Sequence, residues 1–448
     1  MALHNERGGM CLHVCTGLHG RNLSPEKIES SKLSKRMELE SSNLRAQFPL
    51  RKGLVALNHG GWGLSPRVVL AAKAAIQAET DACPDDLYLV RANFHDKLNR
   101  ALEPVASFLG LNSIDDLVFT ANTSTSVTAV LRSLKQILKA QGRFPILPNF
   151  KSQKILMLST AFHGDVHAIR YTCINDGFEV LEVPVVYPLS EDALFAIVEE
   201  AIAKEQDEGN EIVLAIYDAI TSTPGVILPF RRLTGLFKSN NILAFVDAAQ
   251  AIGQIPVDDI PAYQPDFFST NLHKWMYVPR SCAVLYVAKQ HQAEIKHPVV
   301  VDVQENHWKS TPGSSEISNF LTTPAAFEFI SSLGGISRIM KHNHELAVKG
   351  GQILATALGT SVLKNPSETD ETGGDAYYGA MVNIELPPAP AGLLFRELHA
   401  QFLEQFNATV LVYSHGGKWW IRCSAQIYVD ITDFERMAHI LRTIFKLD

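Results

Sequence analysis

The stretch "DFFSTNLHKWMYVP" (266–279) joins a short apolar run to Asn271, His273 and Lys274. A lysine beside a histidine is ordinarily a solvated surface residue, so its meaning depends on what lies upstream. From about residue 100 to 290, similar apolar runs alternate with segments of helical spacing. "DLVFT" (116–120) precedes "STSVTAVLRSLKQILKAQ" (124–141), and "KILMLST" (154–160) precedes a helix starting near Gly164. "FEVLEVPV" (178–185) precedes "SEDALFAIVEEAIAKEQ" (190–206), and "EIVLAIYDAI" (211–220) precedes "FRRLTGLFKSN" (230–240). "ILAFVDAA" (242–249) and "CAVLYVA" (282–288) complete the series. The runs are continuously apolar rather than alternating, which marks strands covered on both faces. The prediction is an α/β layer fold around a mostly parallel sheet. An α+β segment follows, with strands in "AMVNIEL" (380–386), "TVLVY" (409–413) and "WWIRCSAQIYV" (419–429), then an amphipathic helix over 430–447.

The chain has 448 residues, 46% of them hydrophobic and 19% charged, which is enough apolar side chain for a large core. A net charge of −7 without a basic-aromatic stripe argues against a nucleic-acid partner. No apolar run reaches the roughly 18–20 residues that cross a bilayer, so no membrane partner is expected. Six scattered cysteines do not form a disulfide framework, and Cys11 and Cys15 have no second pair at zinc spacing. No metal is expected, and the setting reads as reducing and cytoplasmic. The start lacks a clean apolar h-region or an arginine-rich amphipathic pattern, so no targeting segment is expected. Residues 1–48 read as a mobile tail containing a polar helix. An N-terminal strap over 49–75, a large domain over 76–324 and a small C-terminal domain over 325–448 complete the expected organisation.

Ligands of open α/β sheets sit at the carboxyl ends of the strands. After "DLVFT" comes "ANTSTS" (121–126), where Thr123 and Ser124 open a helix in a manner suited to a phosphate. After "KILMLST" comes "AFHGD" (161–165), with His163. "EIVLAIYDAI" leads to the polar turn "TSTPGVILP" (221–229), and its Asp218 suits a cofactor edge or a turn cap equally. "ILAFV" ends in Asp247, and "DFFST" ends at "NLHK", with Lys274 27 positions after Asp247. A phosphate nest, a ring, an acid and a lysine at successive strand ends are what pyridoxal 5′-phosphate (PLP) requires. The lysine forms a Schiff base, the acid keeps the pyridine nitrogen protonated, and a flat side chain stacks on the ring.

"LNHGGWGLSP" (57–66), "VDAAQAIG" (246–253), "NLHKW" (271–275) and "IRCSAQIY" (421–428) together resemble the class V aminotransferase superfamily. Within it, the chain is most similar to the isopenicillin N epimerase-like branch, which also holds C–S lyases; cysteine desulfurases are cousins. The resemblance covers roughly residues 50–448. It implies the fold of a fold-type I PLP-dependent transferase, with the mostly parallel sheet in the large domain and a smaller α+β C-terminal domain. It also implies a homodimer.

Residue by residue, the resemblance makes Lys274 the Schiff-base lysine, Asp247 the partner of the pyridine nitrogen and Gln250 the group near the ring O3′. His163 stands where the family places its ring stacker, a histidine in desulfurases and often a tyrosine in the epimerase branch. Thr123, Ser124, Asn271 and His273 match phosphate-binding positions. Arg422 matches the arginine that forks onto the substrate carboxylate, and Asn58 and His59 border the substrate. Two departures stand out. "GSSE" (313–316) replaces the branch's Gly-Thr-Arg-Asp, so Ser314 keeps a phosphate donor, possible from a partner subunit, while Ser315 takes the place of an arginine. No cysteine lies between 330 and 380, which argues against chemistry through an enzyme persulfide.

The implied activity acts on an α-amino acid or derivative through an external aldimine and Cα deprotonation. β-Elimination of the C–S lyase type ranks first, epimerisation second and transamination third, an order set by the resemblance alone. A non-catalytic PLP-fold binding protein is the remaining alternative; the intact Asp247–Lys274 pair argues against it.

Overall fold

A computed structural model describes residues 44–88, 91–296, 315–366, 377–390 and 392–447. The described residues belong to one compact unit. The expected strands form at the expected places, as β2 (Leu117–Thr120), β3 (Gln153–Leu158), β4 (Glu179–Val183), β5 (Glu211–Asp218), β6 (Leu243–Asp247), β7 (Phe267–Asn271) and β8 (Ala283–Val287). They build one sheet in the order β2-β8-β7-β6-β5-β3-β4. Every pair from β7 through β4 is parallel, while β8 runs antiparallel to both β7 and β2. Each residue of β5, β6 and β7 is buried. That burial explains their unbroken apolar runs: helices cover both faces, and each fully buried Val, Leu, Ile or Phe contributes about 1.5–3 kcal/mol.

Because β2, β3, β5, β6 and β7 point the same way, their carboxyl ends share one edge of the sheet. Helices Thr123–Ala140 and His163–Asp176 start at that edge, directly after β2 and β3. Asn122 caps the first helix by accepting from Thr125 N–H at 2.9 Å.

The C-terminal strands are β9 (Met381–Glu385), β10 (Ala408–Thr409), β11 (Leu411–His415) and β12 (Lys418–Ser424). β11, β12 and β9 form an antiparallel sheet in that order. The run "TVLVY", expected as one strand, is divided between two sheets. β10 pairs in parallel with β1 (Val55–Ala56), whereas β11 pairs with β12. β12 ends earlier than its apolar run suggested, because Ser424 N–H turns away to the Leu57 carbonyl at 2.7 Å.

The expected tail lies outside the described residues up to 43, but 44–48 are anchored. Leu44 and Phe48 are buried, with Phe48 packed on Tyr277, Phe329 and Tyr428. Arg45 pairs with Asp433 at 2.9 Å. The polarity of the segment hid these two core side chains.

Candidate active site

A cavity of about 540 Å³ opens at the carboxyl edge of the large sheet, a volume ordinary for a small-ligand site. Asn58, Thr123, Ser124, His163, Asp247, Gln250, Asn271, His273, Lys274 and Arg422 all line it. Ten expected site residues from six sequence segments therefore converge on one space. His59 does not, and Ser314 lies outside the described residues.

Lys274 sits in the single turn Leu272–Trp275 that follows β7. Its amine is brought down to about 8, first by burial and then by the Arg422 charge, with Asp247, Asp165 and Asp218 opposing. A larger share of neutral amine at physiological pH suits a nucleophile or proton acceptor. The turn is held from below by the "LNHGGWG" segment. His59 Nε2 bonds the Lys274 carbonyl at 2.7 Å and Nδ1 meets the Tyr428 hydroxyl at 2.8 Å. This corrects the expectation that His59 contacts substrate. Both ring nitrogens are committed to protein groups, the residue is buried, and burial pushes it down to about 4, so it is neutral. Gly63 has φ +64°, and a Cβ there would lie 1.8 Å from the His273 carbonyl oxygen. Only glycine lets the two backbones approach so closely.

Thr123 and Ser124 take the first two helical positions after Asn122, where amides lack an intrahelical acceptor. Asn271 Oδ1 accepts from Thr123 N–H at 3.1 Å and from its hydroxyl at 3.3 Å, which ties the end of β7 to this helix start. His273 Nδ1 pairs with the Cys282 carbonyl at 2.8 Å, and burial brings its ring down to about 4. At neutral pH it faces the cavity uncharged.

His163 is exposed on the cavity wall beside Phe162, their ring centroids 4.3 Å apart. Phe162 also lines the cavity, so two flat side chains are available there. Gln250 is fixed by both ends of its amide: Nε2 donates to the Gly60 carbonyl at 2.7 Å, and Oε1 accepts from Trp275 Nε1 at 2.9 Å. One N–H of Gln250 remains for the cavity.

Asp247 ends β6 and accepts from Ala249 N–H at 2.8 Å. Asp218 stands opposite it in register on β5. Burial and the Asp247 charge raise Asp218 well above the usual carboxyl range, with Lys274 opposing. Sequence reasoning passed over a third acid, Asp165, although it lies inside the quoted "AFHGD". It is buried and accepts from Ser124 Oγ at 3.2 Å, and burial first, then the Asp247 charge, raises its carboxyl well above the usual range.

Arg422, on β12, is 1% exposed. Nη1 donates to the Ser222 carbonyl at 2.6 Å and Nη2 to Asn58 Oδ1 at 3.4 Å, while buried Nε has no partner. Burial lowers the guanidinium to about 10, so it stays charged. A buried cation that lines the cavity and is held only by neutral oxygens is a receptor for an anion.

The family model "Aminotransferase class-V" matches residues 63–374. L-cysteine desulfhydrase of Arabidopsis thaliana is 26% identical over 91% of this chain and 92% of its own. Hercynylcysteine sulfoxide lyase of Schizosaccharomyces pombe is 25% identical over 90% and 97%. Isopenicillin N epimerase of Amycolatopsis lactamdurans is 25% identical over 90% and 98%. Among solved structures, a C-DES variant with glycine covalently linked to its PLP cofactor superposes with a TM-score of 0.69 at 17% identity. It covers 89% of this chain and 99% of that one, and this likeness shows the shared fold. With the family model spanning most of the sheet and the site lysine within it, the chain belongs to the class-V aminotransferase family.

Proposed function

We propose that this protein is a PLP-dependent lyase that breaks the Cβ–S bond of a cysteine-derived amino acid. The observation that carries the reading is the pairing, in one cavity, of a buried amine lowered to about 8 with a buried guanidinium held only by neutral oxygens. The names of the desulfhydrase and sulfoxide lyase relatives support the choice of a C–S bond.

The residues present fit the cofactor. Thr123, Ser124, Asn271 and His273 would hold its phosphate at a helix start. Phe162 and His163 would flank its ring, Gln250 would offer an N–H to O3′, and Asp247 would offer its carboxyl to the ring nitrogen. When bound, PLP supplies a sink for the electron pair left at the substrate's Cα. Arg422 binds the substrate carboxylate and orients the molecule. Lys274 takes the Cα proton, the Cβ–S bond breaks with its electron pair on sulfur, and hydrolysis of the enamine product yields a keto acid and ammonia.

The proposed arrangement places the strap 49–75 and the segment 325–448 together as a small domain against the large one. It also includes a cytoplasmic homodimer. Sedimentation tests the dimer by itself. The reaction is tested by offering the purified holoenzyme S-substituted cysteines, their sulfoxides and unsubstituted amino acids. Keto acid and ammonia are expected from the first two only. A D-amino acid accumulating without keto acid would replace this reading with epimerisation.

A further inference from the structure

The polar turn after β5 presents Ser222 and Thr223 to the cavity. The Ser222 carbonyl anchors Arg422 Nη1 at 2.6 Å, so the aim of the guanidinium depends on where this turn sits. The stem of the turn closes on itself. Thr221 N–H donates to the Val226 carbonyl at 3.0 Å, Val226 N–H to Thr221 Oγ1 at 3.1 Å and Leu228 N–H to the Ala219 carbonyl at 3.0 Å. A turn tied only at its stem can still swing as a unit, and a side chain from another strand holds this one.

That side chain is Asn383, buried on β9. Its amide takes both backbone groups of Gly225: Oδ1 accepts the Gly225 N–H at 3.0 Å, and Nδ2 donates to the Gly225 carbonyl at 3.3 Å. Oδ1 also accepts at 2.9 Å from the hydroxyl of Tyr413, a cavity-lining residue of β11. A buried amide is costly unless its polar atoms are bonded. Here all three bonds go to the turn or to the cavity wall. Asn383 also stands in register with Arg422 on the adjacent strand, so the two side chains leave the same face of the sheet. Gly225 lies against the stem of that arginine: a Cβ there would stand 3.3 Å from Arg422 Cδ and 3.2 Å from Met381 Cβ. The clasped glycine thus packs on the arm of Arg422, while the turn it belongs to holds the head.

We propose that Asn383 is a positioning residue for substrate recognition. By clasping Gly225 it fixes the turn 221–226, and through the Ser222 carbonyl it sets the direction in which Arg422 presents its guanidinium to a carboxylate. The inference rests on the proposed role of Arg422. Without the clasp, the turn and the guanidinium move together, and the fork no longer meets the carboxylate squarely. The amine of the substrate, which is met by other groups, keeps its hold.

The test uses L-alanine and ethylamine, which differ only in the carboxylate. Their dissociation constants are read on the holoenzyme from the change in cofactor absorbance. Asn383→Ala removes the clasp, and Asn383→Leu removes it while keeping the volume, for use should the alanine variant fail to fold. Either variant is expected to weaken L-alanine about tenfold, the worth of about one hydrogen bond, and to leave ethylamine within about twofold. KM for S-methyl-L-cysteine is expected to rise by the same factor, with kcat within about twofold. Gly225→Ala presses on the arm of Arg422 with Asn383 in place, and the same selective loss is expected. The proposal is overturned if the Asn383 variants weaken both ligands alike, which would mean a general loosening, or weaken neither. Arg422→Lys is measured alongside. If it does not discriminate between the two ligands, the role of Arg422 falls and this inference with it. If Arg422→Lys is selective and the Asn383 variants are not, this inference alone fails.

Discussion

Arg422 reaches across from β12 to donate to the Ser222 carbonyl at 2.6 Å, a bond that anchors one edge of the guanidinium and leaves Nε unpaired. Arginine's planar fork can hold that anchor and a carboxylate at once; lysine's single point charge cannot. Arg422→Lys is therefore expected to raise KM for amino-acid substrates about 10- to 100-fold, the worth of one charge-assisted hydrogen bond. Steady-state kinetics check this. A KM unchanged within twofold would show that the carboxylate is held elsewhere.

Lys274→Ala is expected to abolish turnover and the visible band of lysine-linked cofactor while leaving a folded protein. In the wild type, the amine attacks only when neutral. With its proton affinity lowered to about 8, the rate at which apo-protein captures PLP is expected to climb with pH and level off above a midpoint near 8. Stopped-flow absorbance measures it, and a midpoint near 10 would mean that the amine is not desolvated.

Asp247→Ala removes the carboxylate proposed for the ring nitrogen. A rate loss of at least about 100-fold is expected, roughly 3 kcal/mol of barrier. Near-normal kcat in this variant would reduce Asp247 to a cap for the Ala249 amide.

Gly63→Ala places a methyl group against the His273 carbonyl in a backbone conformation with φ +64°. Neither backbone can yield without moving the lysine turn. A loss of several kcal/mol, or cofactor retention lost before global unfolding, is expected in thermal and cofactor-release assays. An alanine variant that melts and retains cofactor like the wild type would show that the contact relaxes freely.

His59 is neutral in the fold, lowered to about 4 by burial, whereas an unfolded chain protonates it near 6.5. Between those values the unfolded state binds more protons, so stability rises with pH across the window. The contribution is complete above about 6.5 and is lost as pH falls through 4. It amounts to about 3 kcal/mol. Urea titrations of wild type and His59→Gln over this range are expected to show a shallower acid loss in the variant. Parallel curves would assign the acid sensitivity to other groups.

The sheet was legible because strands buried on both faces carry unbroken apolar runs, and the cavity because ligating side chains follow those runs directly. That Lys274, Asp247 and Thr123 meet at one edge was expected from their places at strand ends, and their roles from the family resemblance. Other features are written in distance rather than in pattern. Nothing in "LNHGG" reveals that His59 turns away from the cavity to grip the Lys274 carbonyl and the Tyr428 hydroxyl. Asp165 was within view, yet a lone acid in a first helical turn is indistinguishable by sequence from an ordinary dipole-complementing residue. Leu44 and Phe48 sit in a polar stretch, and only tertiary packing makes them core.

The bond between Arg422 and Asn58 joins positions 364 residues apart, and the His59–Tyr428 bond joins positions 369 apart. Loop closure on that scale comes late in folding. A chain growing on the ribosome can build its large sheet, with Asp247 and Lys274 already set, while Asn58 still awaits Arg422 and His59, within reach of the Lys274 carbonyl, still awaits the Tyr428 hydroxyl. A polypeptide stopped short of β12 presents a lysine turn whose His59 support lacks the Tyr428 hydroxyl. Nascent chains truncated before Arg422 are expected to release PLP readily, and full-length chains to keep it.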